Sequence, residues 1–479
     1  MALARNSLLN LAPALIGVAV SILTIPFYMS IVGTERYGAL LLALVLLGYF
    51  GQADFGLGRS ITQRLSSMPE ASDSERASVV WSALVGATAI SFVGGALVFV
   101  AANVFFQSFF EVSSDLKAEV LEAAWLFALC VPVIMFTGVS SGALVGVQRF
   151  GLVSLGTLVG NILSQVLPLL VALFYSKHFE WLLAASIAGR VIGLVPMLMS
   201  MAFVFLRDQP VNPSVPQLQR LFSYGSWIMV TAIVGPLMTT ADRFVIGGVL
   251  GSVAVVAYSV PTQIVARTVM FPMAFVQALF PRLAAQSDDE STTLGKVSVI
   301  LVGQSFAFVV IGLMLFAAPL LTLWIGEDLD QRSVPVGQIA LIGIWFNALA
   351  NVPYALVQAR GNSRYTAVLH VIELPAYLVM LYAFGIWLGL YGVALASTAR
   401  IIIDCFALFH KARFLDRFVL WRLVGPAAVV IGSFVISLWV EDWLGAFIGA
   451  SCCCSVLLLL TWFQMPDEAK YRLRTRLKL

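Results

Sequence analysis

Asp54 and Arg59 stand five residues apart in the stretch Gly51-Gln-Ala-Asp-Phe-Gly-Leu-Gly-Arg-Ser60, directly after a run from Tyr37 to Phe50 that carries no charge. Further along, Asp242 adjoins Arg243, Arg267 has no acidic residue near it, and Glu373 has no Lys or Arg within eight residues. All sit in strongly apolar surroundings. A charge at the centre of a bilayer costs about 2.5–3.5 kcal/mol on insertion scales, so each must face protein, a wet cavity or the interface. Two kinds of chemistry are open to them. Guanidinium stays charged and grips phosphate oxygens with paired donors, which makes Arg59, Arg243 and Arg267 candidates for holding an anionic headgroup. A buried carboxylate beside a cation can switch between an empty state and one loaded with H⁺ or Na⁺, which makes Asp54, Asp242 and Glu373 candidates for ion coupling. Simpler roles stay open beside these. Arg59 can snorkel to headgroups or pair with Asp54, Asp242 can neutralise Arg243, and Glu373 can pair with an arginine of a neighbouring helix.

The elements that must position these groups follow from composition. Of 479 residues, 60% are hydrophobic and 11% charged, against about 25% charged in a soluble protein. The chain is an integral membrane protein. Its net charge of +3 gives no case for nucleic acid. No phosphate loop or zinc-type His-Glu spacing occurs, and the three histidines, His178, His370 and His410, are isolated in sequence. An ATPase, a metal site and an organic cofactor are therefore not expected, nor is any catalytic residue. The five cysteines, Cys130, Cys405 and Cys452 to Cys454, lack paired metal-ligand spacing and read as buried thiols.

Runs of about 20 apolar residues, enough to cross a hydrocarbon core, number fourteen: 7–32, 37–64, 77–107, 117–144, 150–175, 180–206, 220–249, 253–282, 293–321, 334–359, 364–388, 391–412, 421–440 and 442–463. Continuous apolarity argues for helices rather than barrel strands. With the N-terminus in the cytoplasm, the inward connections collect Arg64, Arg76, Arg149, Arg207, Arg282, Arg360, Arg413 and a basic tail, while the outward ones hold Arg36, Lys117, Lys177 and Arg332. This positive-inside bias, with an even number of spans, predicts both termini in the cytoplasm of a plasma membrane protein. At about 1.5 Å rise per residue, Arg59 falls near the inner mouth with Asp54 slightly deeper. Arg267 falls near mid-membrane, and Asp242 and Arg243 in the outward half of their helix.

The polar, proline-rich stretch Arg207 to Arg220 divides the first twelve spans into six and six. Expected domains are 1–206, a linker at 207–220, 221–412, and 413–479 for the last two helices and tail. The halves show weak internal likeness. Ile31 to Gly38 resembles Val249 to Ser259, Ala143 to Phe150 resembles Ala355 to Tyr365, and Arg190 parallels Arg400. Six spans per half make this a parallel repeat, which in transporters places the site between the halves. Arg190 and Arg400 are expected to serve packing or backbone carbonyls rather than substrate.

These features together resemble a lipid-linked oligosaccharide flippase of the O-antigen and polysaccharide export type, within the superfamily of multidrug, oligosaccharidyl-lipid and polysaccharide exporters. The likeness rests on the Asn6 to Pro26 helix, Gly33-Thr-Glu-Arg-Tyr-Gly38, Asp54-Phe-Gly-Leu57 with Arg59, the Gln148-Arg149 and Arg360-Gly361 turns, and fourteen spans arranged as two sixes plus two. It implies an all-α membrane fold of two pseudo-symmetric six-helix lobes and two C-terminal helices, with helices 1, 2, 7 and 8 lining a cavity. It also implies transport, by alternating access, of an undecaprenyl-pyrophosphate-linked glycan to the outer leaflet. Membrane lipids, a polysaccharide polymerase and a chain-length regulator are the implied partners. The rival readings are a multidrug or cation antiporter of the same superfamily and a membrane glycosyltransferase or polymerase. No outward loop is long enough to hold catalytic carboxylates, which disfavours the latter.

Overall fold

A computed structural model describes residues 2–52, 56–68 and 70–464. Asp54 and the basic tail from Lys470 onward therefore lie outside the described residues. Among the described residues the regular structure is entirely helical. In chain order come α1 (Ala2–Val32), α2 (Thr34–Gln52), α3 (Leu57–Ser66), α4 (Asp73–Ser108), α5 (Ser114–Glu122), α6 (Ala124–Gly146), α7 (Phe150–Phe174) and α8 (Phe179–Met201). They are followed by α9 (Val215–Val249), α10 (Gly251–Arg267), α11 (Met270–Ala285), α12 (Asp288–Ile325), α13 (Ser333–Ala359), α14 (Ser363–Lys411), α15 (Arg417–Ser437) and α16 (Trp443–Gln464). Ten helical segments among the described residues are long and apolar enough to cross a membrane. Helix is the form such sequences take in lipid, because each backbone N–H and C=O is then satisfied within its own segment. Phe174, Trp387, Trp439 and Phe463 stay exposed on the outside of these helices, as they can where the solvent is hydrocarbon. Cys452 is likewise exposed, while Cys130, Cys405 and Cys453 are buried and Cys454 is intermediate. The expectation of five buried thiols is corrected to that extent, since Cys452 falls on the outer face of an apolar helix.

The segment Ser363–Lys411 is two helices. Gly389 has φ 59° and ψ −139°, a conformation that side chains exclude, and the chain turns back there. Tyr365 donates to the Ala407 carbonyl at 3.3 Å, and the Tyr377 hydroxyl lies 2.9 Å from Ser397 Oγ. Contacts at these positions are possible only in an antiparallel hairpin, whose first arm precedes Gly389 and whose second follows it.

The internal repeat recurs in the backbone. Gly33 and Gly251, 218 positions apart, both take positive φ, as do Gln148 and Gly361, 213 apart, and Asp208 and Arg413, 205 apart. At the second pair the hydrogen bonds match. Arg149 N–H reaches the Leu144 carbonyl at 2.9 Å, and Asn362 N–H reaches that of Val357 at 3.1 Å. Each closes a helix in the left-handed manner that satisfies its last carbonyls. Both α4 and α12 open on a capping box. Ser72 N–H bonds Glu75 Oε2 at 3.0 Å and Ser287 N–H bonds Glu290 Oε2 at 3.2 Å, each box satisfying amide groups that a helix start leaves open.

The chain forms two compact units, Met1–Val256 and Ala257–Leu479. In the first, α7 and α8 pack backbone to backbone. A Cβ on Gly193 would lie 2.5 Å from Gly160 Cα, and one on Gly189 would lie 2.3 Å from Ser164 N. Gly156, Gly160 and Ser164 on one helix face Gly189 and Gly193 on the other, the small-residue spacing of four that allows close approach in lipid. The polar stretch after α8 separates it from α9 within this unit, where Ser214 N–H donates to Ser82 Oγ at 2.8 Å and α9 packs on α2, α3 and α4. In the second unit, fully buried Trp345 donates Nε1–H to the Gly303 carbonyl at 3.0 Å, tying α13 to α12. There α15 and α16 pack on α12 and on each other.

Candidate functional site

Three of the predicted spans are broken among the described residues: 117–144 divides at Ala123 between α5 and α6, and the other two breaks each carry a predicted arginine. The run 37–64 divides into α2, ending at Gln52, and α3, beginning at Leu57 after Gly56 in left-handed conformation with φ 74°. The run 253–282 divides into α10, ending on Arg267, and α11, beginning at Met270. The starts of α3 and α11 are 213 positions apart, the same interval that relates Gln148 to Gly361. The physical causes are local. Gly56 supplies the positive φ in one half. In the other, Pro272 has no N–H to give the Thr268 carbonyl, and its ring displaces that carbonyl. The chain bridges Thr268 and Val269 with tighter bonds, Thr268 N–H to Val265 O at 3.1 Å and Phe271 N–H to Thr268 O at 3.3 Å.

Arg59 is the third residue of α3 and lies on its exposed face. The opposite face, Leu57, Gly58, Ile61 and Leu65, is buried, and Thr62 Oγ1 donates to the Gly142 carbonyl of α6 at 2.9 Å. First-turn N–H groups and a guanidinium together make the start of α3 electropositive. Arg267 is also exposed. As the last residue of α10 it faces the carbonyl end of a helix, where a cation is favoured.

Asp242 and Arg243 lie near the end of α9. Asp242 is buried and its Oδ1 accepts the backbone N–H of Arg243 at 2.8 Å. The Arg243 guanidinium turns back to donate Nη1–H to the Thr239 carbonyl at 3.1 Å, while its Nε is buried without a hydrogen-bond partner.

Glu373 lies on the first arm of α14, where both carboxylate oxygens are buried and make no hydrogen bond. The hairpin brings further polar groups to this stretch, two of them from the second arm. His370 precedes it by three residues on the same arm, with Nε2 3.8 Å from Asp404 Oδ1 on the second arm. The His370 ring stacks on Tyr354 of α13, centroids 6.3 Å apart and planes 9° from parallel. Arg400, one turn before Asp404, places Cζ 5.1 Å from the centre of the Tyr377 ring, a cation–π geometry, and its Nε is buried without a hydrogen bond. The expectation that His370 is isolated is thus corrected. The signals were the His370/Glu373 and Arg400/Asp404 spacings of three and four, which place each pair on one helix face; their meeting depends on the Gly389 turn. His178 is not isolated either, with Nε2 3.9 Å from Glu122. Among the described residues no three His, Cys, Asp or Glu side chains converge on a metal-sized site.

The arrangement offers cations at two interrupted helices and, in the second unit, a buried acid–base cluster. Comparison with known proteins agrees with a transporter architecture. Residues 3–287 match the family described as polysaccharide biosynthesis protein. The chain is 28% identical over 413 residues to a Shigella flexneri protein named "Putative O-antigen transporter", covering 85% of this chain and 97% of that one. The fold resembles the lipid II flippase MurJ in an inward closed conformation, with a TM-score of 0.72 at 15% identity over 96% of this chain and 98% of the other. It also resembles an inward-facing multidrug resistance MATE transporter, with a TM-score of 0.65 at 15% identity over 88% of this chain and 96% of the other.

Proposed function

The chain belongs to the polysaccharide biosynthesis protein family, and on that premise we propose that it is a flippase for an undecaprenyl-pyrophosphate-linked oligosaccharide. Its direction is from the cytoplasmic to the outer leaflet of the bacterial inner membrane, for O-antigen, capsule or exopolysaccharide synthesis, with fourteen spans and both termini in the cytoplasm. The observation that carries the reading is the pair of breaks at Gly56 and at Thr268–Val269, each beside an arginine. Interrupted membrane helices at corresponding places in two repeats mark where transporters hold polar substrate. The isoprenoid tail stays in lipid, but pyrophosphate and sugar need a wet, cationic route. In this reading Arg59, Arg243 and Arg267 hold the pyrophosphate in turn during alternating access.

Asp54, Asp242 and Glu373 are the coupling carboxylates. Of these Glu373 has the strongest support, because a carboxylate buried without donors is costly to keep bare, and loading it with H⁺ or Na⁺ removes that cost. His370 and Asp404 then provide a neighbouring place for the proton.

The test is outer-leaflet appearance of lipid-linked glycan in Arg59→Ala, Arg243→Ala and Arg267→Ala. Each is expected to fall at least tenfold; undiminished transport in all three ends the proposal. Buried Asp242 and Glu373 also suit export of cationic drugs, which is the second reading. A deletion strain that gains drug susceptibility and keeps its surface glycan would select it.

A further inference from the structure

Between α6, α7 and α8 of the first unit lies a cavity of about 250 Å³, and Arg190 forms part of its wall. Arg190 is eleven residues into α8, about 16 Å along the helix by its rise, and so falls deep in the membrane. Its Nε is buried and has no hydrogen-bond partner. Among the described residues no carboxylate forms an ion pair with it. Arg400, its counterpart 210 positions later, has the Tyr377 ring at 5.1 Å and Asp404 one turn on. One turn after Arg190 comes Leu194. A cation deep in a membrane helix without a counter-charge is an expensive feature to keep, and such residues mark ligand paths.

The cavity wall is built to receive an anion. Thr157 and Asn161, both exposed, line the same cavity as Arg190 and carry an O–H and an amide N–H₂. Thr137 and Ser141 already donate to the carbonyls of Val133 at 2.6 Å and Gly138 at 3.2 Å, so the neutral donors for an anion here are those of Thr157 and Asn161. Backbone contact between Gly160 and Gly193 brings the α8 backbone at Arg190 close to α7, since a Cβ on Gly160 would lie 3.9 Å from Arg190 Cα. Pockets for drug-sized ligands measure about 300–1,000 Å³, so this smaller space suits a headgroup.

We infer that this cavity is an anion subsite that takes a lipid-borne phosphate or pyrophosphate, with Arg190 as its counter-charge and Thr157 and Asn161 as neutral donors. The identity of the natural ligand rests on the flippase reading; affinity for phosphate does not.

The test is equilibrium binding by the full-length protein in zwitterionic nanodiscs, read as ligand-induced rise in the thermal unfolding midpoint. The probes are a short-chain isoprenyl pyrophosphate, inorganic pyrophosphate, and phosphatidylglycerol added to the bilayer. The isoprenyl pyrophosphate is expected to stabilise the wild type. Arg190→Met is expected to weaken that binding at least tenfold while its unliganded midpoint stays level or rises, because a charge without a counter-charge has been removed from within the membrane. Ser141→Leu, which fills the cavity and keeps the guanidinium, is expected to weaken it too. A response to inorganic pyrophosphate supports the subsite with the headgroup alone as ligand, and one to phosphatidylglycerol supports it with bulk lipid as the source. The inference is overturned if no probe stabilises the wild type, or if either variant binds as the wild type does. Since no turnover is measured, failure here leaves the transport reading to its own assay, and the reverse holds as well.

Discussion

His370 Nε2 lies 3.8 Å from Asp404 Oδ1 although 34 positions separate them. The contact exists because the chain reverses at Gly389, which lays the two arms of α14 side by side. Buried Glu373 stands one turn from His370 on the same arm, so acid, base and carboxylate share one stretch of a membrane hairpin.

Replacing Glu373 with Gln removes the proton or Na⁺ acceptor with almost no change of shape. Transport in proteoliposomes is expected to continue at a reduced rate and to lose its response to an imposed ion gradient. Gradient dependence equal to that of the wild type would remove Glu373 from the coupling role.

Gly389→Ala tests the hairpin itself. At φ 59° and ψ −139° a Cβ introduces strain of about 1–3 kcal/mol, although the space around Gly389 is open. A lower unfolding midpoint in detergent is expected, with the loss coming from the backbone rather than from a clash. An unchanged midpoint would mean that the turn tolerates a side chain.

Gly193→Ala probes the α7–α8 contact. Its Cβ would sit 2.5 Å from Gly160 Cα, so two backbones must part, at a cost of about 1–3 kcal/mol. Gly312→Ala is the control: nothing lies within 4 Å of its Cβ, and on a helix Ala is favoured over Gly by about 1 kcal/mol. The two variants are expected to move the unfolding midpoint in opposite directions. Equal shifts would show that helix propensity, not close approach, sets the value of Gly193.

Asp416 opens α15 from the connection after α14. Its Oδ1 accepts Val419 N–H at 2.9 Å and its carboxylate pairs with Lys296. Burial raises its pKa, but the Lys296 ammonium and the Val419 N–H outweigh burial and hold it below the ordinary carboxylate value. A pKa depressed on folding adds stability above the unfolded value, about 3.9, and that stability is lost as pH falls through the folded value. Asp416→Ala is therefore expected to lose about 0.5–2 kcal/mol at neutral pH from the cap. The gap from wild type should narrow on acidification below about pH 4. Unfolding midpoints at neutral and acidic pH check both, and a gap that widens in acid would refute the assignment.

The span positions were readable from the chain because lipid imposes a crude, one-dimensional demand of about 20 apolar residues in succession. The breaks within three of those spans are not legible in the same way, Pro261 and Pro272 indicating at most a bend in theirs. Gly56 and Pro272 were visible, but prolines and glycines are common in membrane helices and need not interrupt them. Arg190 and Glu373 illustrate the same limit for charge. Neither residue's place in the chain tells whether a partner waits on another helix, because that depends on packing.

By itself, then, the sequence determined the solvent in which this protein lives, the helical form of its segments, and a repeat of about 210 residues visible in residues such as Arg190 and Arg400. Apolarity and local turn chemistry act over neighbouring residues and need no knowledge of the fold. The tertiary structure alone decided that His370 meets Asp404, that Arg400 rests on Tyr377 and that Arg190 borders a cavity. Electrostatic partnership falls off over a few ångströms, and only the closing of the Gly389 hairpin and the glycine contact of α7 with α8 brings distant residues within that range.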